Sequence, residues 1–257
     1  MFEEGVAGHI LAAFLDHALR ERLWRLRLMP TKIIKPGTEM RVSFSALLRI
    51  AESDSYLLIR SLHRRESFGP FGGVYKYLSG AVPRLDELQF RPQVVSPDMR
   101  DDLRGFLPRR RLLSLLRWFD EGTEREDAGA CLRRELQEEL KEVHLSKQIS
   151  LPEIPHFRRI RRVSEGPAIA AGQSYTQYRI FDVYEVTEPN KDVARFLKEL
   201  RSLATNDKHL LLACSHEIIA GRSHDGRYIG HHSGYVFRRQ RVRPDEPMFV
   251  EATGGAD

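Results

Sequence analysis

The sequence predicts an α+β fold, because helical and strand-like patterns of apolar residues both occur along the chain. Apolar residues recur at helical spacing over about residues 5–28, 126–143 and 192–203. Over residues 175–186 apolar and polar residues alternate, as they do in a strand with one buried face. The two periodicities together indicate a domain that contains both helices and strands.

The composition is that of a folded protein whose surface favours anionic partners. The chain has 257 residues, of which 41% are hydrophobic and 30% charged, enough to bury a substantial core. Its 41 basic and 36 acidic residues give a net charge of +5, which favours nucleotides or nucleic acid. Arginines cluster at residues 109–111, 158–162 and 238–243. These runs could line a phosphate-binding surface or form solvated charged faces.

The chain shows no sign of export or membrane insertion. The apolar stretch at residues 9–15 is too short to cross a bilayer and is followed at once by charged residues. The two cysteines, Cys131 and Cys214, have no CxxC spacing, so neither a disulfide framework nor a zinc site is indicated. We therefore expect a cytoplasmic protein that does not bind membranes.

Three regions follow from the pattern. Residues 1–40 form an N-terminal helical extension, with the helix over 5–28 ending before Pro30. Residues 41–243 form the main domain, and residues 244–257 a flexible tail. Within the main domain, the proline-rich stretch 76–123, which includes a helix over 111–119, is predicted to be an insertion.

The main domain begins with two predicted strands, 41–50 and 56–61, joined by a hairpin turn at 51–55. Residues 68–74, which include Gly72 and Gly73, are predicted to form a loop whose backbone can approach a ligand closely. Further along, a strand is predicted at 157–163.

The helix over residues 126–143 carries the most informative charge pattern. Four glutamates share an arc beside an apolar stripe: Glu135, Glu138, Glu139 and Glu142 beside Leu132, Leu136, Leu140 and Val143. Like charges at this spacing repel by about 0.2–0.5 kcal/mol per pair, and a bound cation relieves that repulsion. Carboxylate oxygens are ligands that Mg²⁺ prefers. An acidic helix face without a ligand is the alternative.

The spacing of these acids resembles a known motif. Glu126, seven residues, and then Arg134-Glu135-Leu136-Gln137-Glu138-Glu139 resemble the latter half of the Nudix box, Gly-x5-Glu-x7-Arg-Glu-U-x-Glu-Glu-x-Gly-U, in which U is aliphatic. Gly72-Gly73 match the glycines that precede the box. The resemblance implies an α/β/α sandwich around a mixed sheet, with Mg²⁺ or Mn²⁺ held by Glu135, Glu138 and Glu139. It also implies that Arg134 orients the acids by pairing with Glu126.

The motif departs from the family pattern in two places. Residues 74–125 separate the glycines from Glu126, whereas the family has them contiguous, and Asp120 stands where the box has glycine. Lys141 and Glu142 replace the late glycine and aliphatic residue, so the helix is expected to continue past its usual end. The split box and the N-terminal helix are similar to the divergent Nudix domains associated with bacterial second-messenger oligonucleotide synthetases in antiviral defence operons.

Other residues have two interpretations each. Glu217 is a candidate general base, if it reaches a metal-bound water. Three aromatic residues near the glycines, Phe71, Tyr75 and Tyr77, could stack on a base, although we expect at least two of them to pack in the core. Cys131 is interpreted as a small buried residue.

The resulting functional prediction is a Mg²⁺-dependent (or Mn²⁺-dependent) hydrolase. It would cleave a phosphoanhydride bond in a nucleoside diphosphate linked to another group, or in a nucleotide-derived signal. Arg134 and the three box acids would be catalytic, and Gly72 and Gly73 would contact substrate. The alternatives are a nucleotide-sensing module that does not hydrolyse its ligand and a protein that binds RNA through its arginines. The expected partner is a nucleotide-type small molecule, and a homodimer is compatible with the sequence.

Overall fold

A computed structural model describes residues 38–61, 67–94, 96–154, 156–169, 173–240 and 242. The helix predicted over residues 5–28 and the tail at 244–257 lie outside the described residues. Within the described part, no helix has the length and apolar character that a membrane span needs.

The described residues form ten strands and five α-helices. The strands, in chain order, are β1 (Glu39–Leu48), β2 (Ala51–Glu52), β3 (Ser55–Arg60), β4 (Phe68–Gly69), β5 (Phe71–Val74), β6 (Arg91–Pro92), β7 (Arg104–Pro108), β8 (Phe157–Ile169), β9 (Thr176–Val186) and β10 (Leu210–Cys214). The helices are α1 (Val82–Glu87), α2 (Leu112–Glu121), α3 (Ala128–Glu142), α4 (Lys191–Leu203) and α5 (Ser215–Ala220). A 3₁₀ helix follows at His231–Val236.

The larger sheet is built around β1 and is mixed, as expected. Its order is β6-β7-β1-β9-β8, and β5 also pairs with β1. One edge of β1 is shared: its first half pairs antiparallel with β7 and its second half with β5. Along its other edge β1 runs parallel to β9, which pairs antiparallel with β8.

The smaller sheet corrects the predicted hairpin. Its order is β10-β3-β2, with β4 on the other edge of β3. Strands exist near 41–50 and 56–61, but β1 and β3 belong to different sheets, and the hairpin is formed by β2 and β3. Alternation in the sequence shows which face of a strand is buried but not which strand lies beside it, so it does not distinguish β2 from β1 as the hairpin partner of β3.

The larger sheet lies between two packing layers. Alternate residues of β1, from Val42 to Leu48, share the main core with helices α2, α3 and α4, and Phe44 stacks on Phe119 with ring centroids 4.4 Å apart. On the opposite face, Leu47 packs with residues of β8, β9 and the 3₁₀ helix. Each large apolar side chain buried in this way stabilises the fold by about 1.5–3 kcal/mol. A mixed sheet with helices packed on it confirms the predicted α+β fold, and the face opposite the main core is covered by a 3₁₀ helix.

The predicted insertion at 76–123 contains helices α1 and α2, but it also contributes β6 and β7 to the larger sheet. Strand β7 was not predicted, because its sequence, Arg-Gly-Phe-Leu-Pro, contains a glycine and a proline, which usually interrupt strands. The glycine is required here: a Cβ on Gly105 would lie 2.3 Å from the carbonyl oxygen of Arg91 on the neighbouring strand.

The strand predicted at 175–186 is β9 and the helix predicted at 192–203 is α4. The strand predicted at 157–163 is longer, extending to Ile169 as β8. The segment at 68–74 is not a loop, since it forms β4 and β5. Its glycines do not break the strand because β5 pairs with β1 across them.

Candidate functional site

Helix α3 presents the box acids to β5. The side chain of Asp127 caps the helix by accepting a hydrogen bond from the amide of Ala130 at 2.7 Å. The apolar stripe is buried as predicted: Leu132, Leu136, Leu140 and Val143 all lie in the main core. The helix also runs through Lys141 and Glu142, past the point where the box has its late glycine. The buried stripe fixes the rotation of the helix, so that the acids lie beside the edge of β5.

Arg134 is the centre of the site. Its Nε and Nη2 atoms donate to the two oxygens of Glu126 at 2.8 and 2.9 Å, a bidentate pair. Nη2 also donates to the carbonyl of Val74 at 2.9 Å, and the amide of Lys76 donates to Glu126 at 3.0 Å. The pair is largely shielded from water, since the Glu126 side chain is 14% exposed. Arg134 therefore ties α3 to Glu126 and to β5.

The same guanidinium holds two of the box acids. Nη1 of Arg134 donates to Glu135 at 2.7 Å and to Glu138 at 3.1 Å. Burial acts to lower the pKa of Arg134, but the hydrogen bonds of Glu126 and the charge of Glu135 outweigh it and keep the pKa above its usual value. Arg134 thus remains a cation, and it orients the acids as the motif implies.

The two glycines of β5 make room for the acids. A Cβ on Gly73 would lie 2.2 Å from the carboxylate of Glu135, so this carboxylate reaches the strand only because residue 73 is glycine. The amide of Gly72 donates to Glu139 at 3.1 Å. Gly72 also has φ +127°, and a Cβ there would meet the carbonyl oxygen of Ala46 at 2.2 Å. The glycines therefore position Glu135 and Glu139, and direct contact of Gly72 and Gly73 with substrate stays a prediction.

The acids have the chemistry of a divalent-cation site. Glu135 is 15% exposed and Glu138 55% exposed. Burial raises the pKa of Glu135 despite the opposing charge of Arg134, so its negative charge is incompletely compensated. Among the described residues, no three acidic, His or Cys side chains are arranged around one point as metal ligands. The carboxylates of Glu135, Glu138 and Glu139 provide the oxygen ligands that Mg²⁺ or Mn²⁺ binds, and they lie on the same side of α3. To coordinate one ion together, they would have to rotate away from their present hydrogen bonds to Arg134 and Gly72.

Asp102 is an acid near the site that no sequence motif indicates. It lies opposite Lys76 in a β-bridge, and its side chain is 8% exposed and pairs with Arg104 at 3.4 Å. Burial raises the pKa of Asp102 to about 6, against the attraction of Arg104 and Lys76, and the charge of Glu135 adds to the rise. No local motif marks Asp102, because its position depends on the pairing of residue 102 with residue 76.

We expect Asp102→Asn to stabilise the protein by about 1–2 kcal/mol at pH 8, a value reduced for the solvent that reaches this carboxyl. Because the folded-state pKa is about 6 and the ordinary value is 3.8, the wild type loses stability as pH rises from about 4 to about 6. The variant should lack this loss. Urea unfolding in EDTA at pH 4, 6 and 8 measures it, and a variant less stable than wild type at pH 8 contradicts it.

The candidate base Glu217 has a structural role on α5, the short helix that follows β10. Its carboxylate accepts hydrogen bonds from the amides of Cys214 at 2.8 Å and His224 at 2.6 Å. Burial acts to raise the pKa of Glu217, but these bonds outweigh it and the pKa lies below its usual value. Glu217 thereby caps the short helix α5. The role of general base remains a prediction that these contacts do not support.

The neighbouring aromatic residues and cysteine are mostly structural. Phe71 and Tyr75 are buried in the main core, which confirms that two of the three aromatic residues near the glycines pack there. Cys131 is also buried, as predicted, and burial raises the pKa of its thiol.

The mixed sheet, the box helix and the Arg134–Glu126 pair together define a Nudix-type domain. This chain belongs to the family of SMODS-associated NUDIX domains, whose family model matches residues 39–237. No curated protein and no solved structure matches the chain. The family match confirms the resemblance to divergent, synthetase-associated Nudix domains, and it begins where β1 begins.

Proposed function

We propose that this domain is a Mg²⁺- or Mn²⁺-dependent hydrolase that cleaves a phosphoanhydride bond in a nucleoside diphosphate linked to another group. The observation that carries the proposal is the gathering of Glu135, Glu138 and Glu139 at one edge of α3, in box spacing. The association of the family with synthetases favours a nucleotide-derived signal as the substrate, in cytoplasmic antiviral defence.

Each residue of the site has a separate role in the proposed hydrolysis. A bound divalent cation supplies polarisation of a phosphoryl oxygen and activation of a water molecule. Arg134 fixes Glu126 and restrains Glu135, while Gly73 lets Glu135 approach the strand. Glu138 has the most exposed side chain of the three acids that Arg134 contacts, so it is the one most accessible from solvent. Holding the acids in place before substrate binds lowers the cost of organising them during the reaction.

A nucleotide-sensing module without hydrolysis is the second candidate. Two observations favour it. The guanidinium of Arg134 already donates hydrogen bonds to Glu135 and Glu138, the carboxylates that a catalytic cation would need, and Lys141 replaces the late box glycine. In that case the ligand would bind to the same edge and be released unchanged.

The test is a screen of nucleotide substrates with Mg²⁺ or Mn²⁺ that measures release of phosphate or nucleoside monophosphate. The double variant Glu138→Gln/Glu139→Gln should lower the rate by on the order of a thousandfold, since about 4 kcal/mol of charge stabilisation is removed. Glu142→Gln is the matched control, because Glu142 lies on the same helix but at the aliphatic position of the box, where the family has no acid. Equal release by the double variant would refute hydrolysis at this site. Binding of a nucleotide without any release would instead favour the sensing module.

A further inference from the structure

Two arginine runs that are distant in the sequence meet on the face of the larger sheet opposite α3. Arg161 of β8 pairs with Val183, which also pairs with Leu47 of β1, and both apolar residues belong to the core on that face. Arg49 follows Leu47 by two residues and therefore projects to the same face, and its amide still bonds to β9. Arg239 follows the 3₁₀ helix, which packs on this face through Tyr235.

The charges in this group do not balance. Glu185 accepts from Arg49 at 3.1 Å and from Arg158 at 2.5 Å, so one carboxylate serves two guanidiniums. Within the described part of the chain, Arg161 has no carboxylate within ion-pair distance. Burial lowers the pKa of Arg161, and the positive charges of Arg49 and Arg239 lower it further. Among the described residues, the charge of Glu185 therefore offsets the repulsion between these cations only in part.

The donors of these arginines are also incompletely used. The Nε atoms of Arg49 and Arg161 are buried and donate to no acceptor among the described residues. A buried donor without a partner is costly, and in native proteins it usually has a water or an ion as its partner. Guanidinium groups bind phosphate oxygens through two parallel hydrogen bonds. An anion at this place would satisfy the donors and relieve the repulsion together.

The surroundings suit a single small anion better than a nucleic-acid strand. The guanidinium of Arg49 lies 5.8 Å from the ring centre of Tyr56, and that ring is 5.4 Å from the ring of Phe237. Tyr56 is 7% exposed, so it offers little surface on which successive bases could stack. Strand binding also requires a longer track of phosphate contacts than three arginines provide.

We propose that Arg49, Arg161 and Arg239 form a binding site for the phosphate or diphosphate group of a small nucleotide. The site uses one residue of β8, the residue that follows β1 and one residue after the 3₁₀ helix, and none of the box acids. It does not rest on the proposed hydrolysis.

Inorganic pyrophosphate in EDTA is the probe, because EDTA removes the divalent cation that the box acids would need. Pyrophosphate should raise the melting temperature of the wild type, and Arg161→Gln should raise its Kd by about tenfold or more, as expected for a lost charge-assisted hydrogen bond. Without pyrophosphate, Arg161→Gln should be as stable as the wild type or more stable, because an uncompensated charge has been removed. Arg117→Gln, an exposed arginine on α2, is the matched control.

Two further measurements separate the outcomes. The double variant Glu138→Gln/Glu139→Gln should keep the pyrophosphate effect, so this proposal can fail or succeed independently of hydrolysis. An unchanged Kd in Arg161→Gln overturns the site, and so does a loss of stability of this variant in the absence of anion. If single-stranded RNA binds through Arg161 more tightly than pyrophosphate and weakens steeply with salt, the small-nucleotide assignment is overturned.

Discussion

Arg134→Ala should lower the free energy of unfolding by about 3–5 kcal/mol, the range found when one partner of a buried ion pair is removed. The variant leaves the carboxylates of Glu126 and Glu135 mostly buried without the cation that donates to both. It also removes the bond to the carbonyl of Val74, so that α3 loses a direct link to β5. Urea unfolding at pH 7.5 in EDTA measures the change.

Several comparisons make the Arg134 prediction specific. Arg117→Ala, on an exposed part of α2, should change stability by less than about 0.5 kcal/mol. The loss of unfolding free energy in Arg134→Ala should be smaller near pH 4, because the unpaired carboxylates of Glu126 and Glu135 can then be protonated. Arg134→Met combined with Glu126→Met should recover part of the loss, since an apolar pair leaves fewer buried charges unpaired. A loss below about 1 kcal/mol in Arg134→Ala would show that the network contributes little to the fold.

Glu135→Gln should have opposite effects on activity and stability. If Glu135 is a cation ligand, its replacement lowers kcat/KM by on the order of a thousandfold, or about 4 kcal/mol. Stability should stay equal or rise slightly, because burial disfavours the charged form of Glu135 in the folded protein. The folded-state pKa of Glu135 lies above the ordinary 4.5, so burial of its charge lowers the stability of the wild type only as pH rises above about 4.5. Glutamine removes the charge and leaves the two bonds from Arg134 to Glu126 in place.

Thermal unfolding with and without Mg²⁺ completes this test. Mg²⁺ should raise the melting temperature of the wild type and raise that of Glu135→Gln less, because a ligand stabilises only a fold that binds it. Glu142→Gln again serves as the control on the same helix. Activity of Glu135→Gln within tenfold of wild type, with an unchanged Mg²⁺ response, would remove Glu135 from the candidate ligands.

The box helix was predictable because its information is local. Periodicity and spacing along one helix placed Leu132, Leu136 and Leu140 in the core and brought Glu135, Glu138 and Glu139 to one edge. Capping by Asp127 then set the first turn within two residues of the predicted start. Local pattern sufficed here because a helix makes its own hydrogen bonds.

Features that depend on strand pairing were not predictable in the same way. The sequence indicated that β1 and β3 are strands, but their different sheets are set by contacts between distant segments. Gly72 and Gly73 looked like a loop, yet they lie in β5 because β1 supplies their backbone partners. The place of Asp102 beside Lys76 has the same origin. The arginine runs were visible in the sequence, whereas their meeting with Arg49 required the sheet.

The shared edge of β1 has a consequence for how this domain could be shortened. Strand β7 covers the half of that edge that β5 does not reach, and it comes from the segment that interrupts the box. A chain trimmed to the compact motif would leave backbone amides and carbonyls from Glu39 to Ser43 bare, and an open strand of this kind templates self-association. The segment that interrupts the box therefore also protects β1 from aggregation. Deleting it is expected to lower the solubility of the domain before it changes the activity.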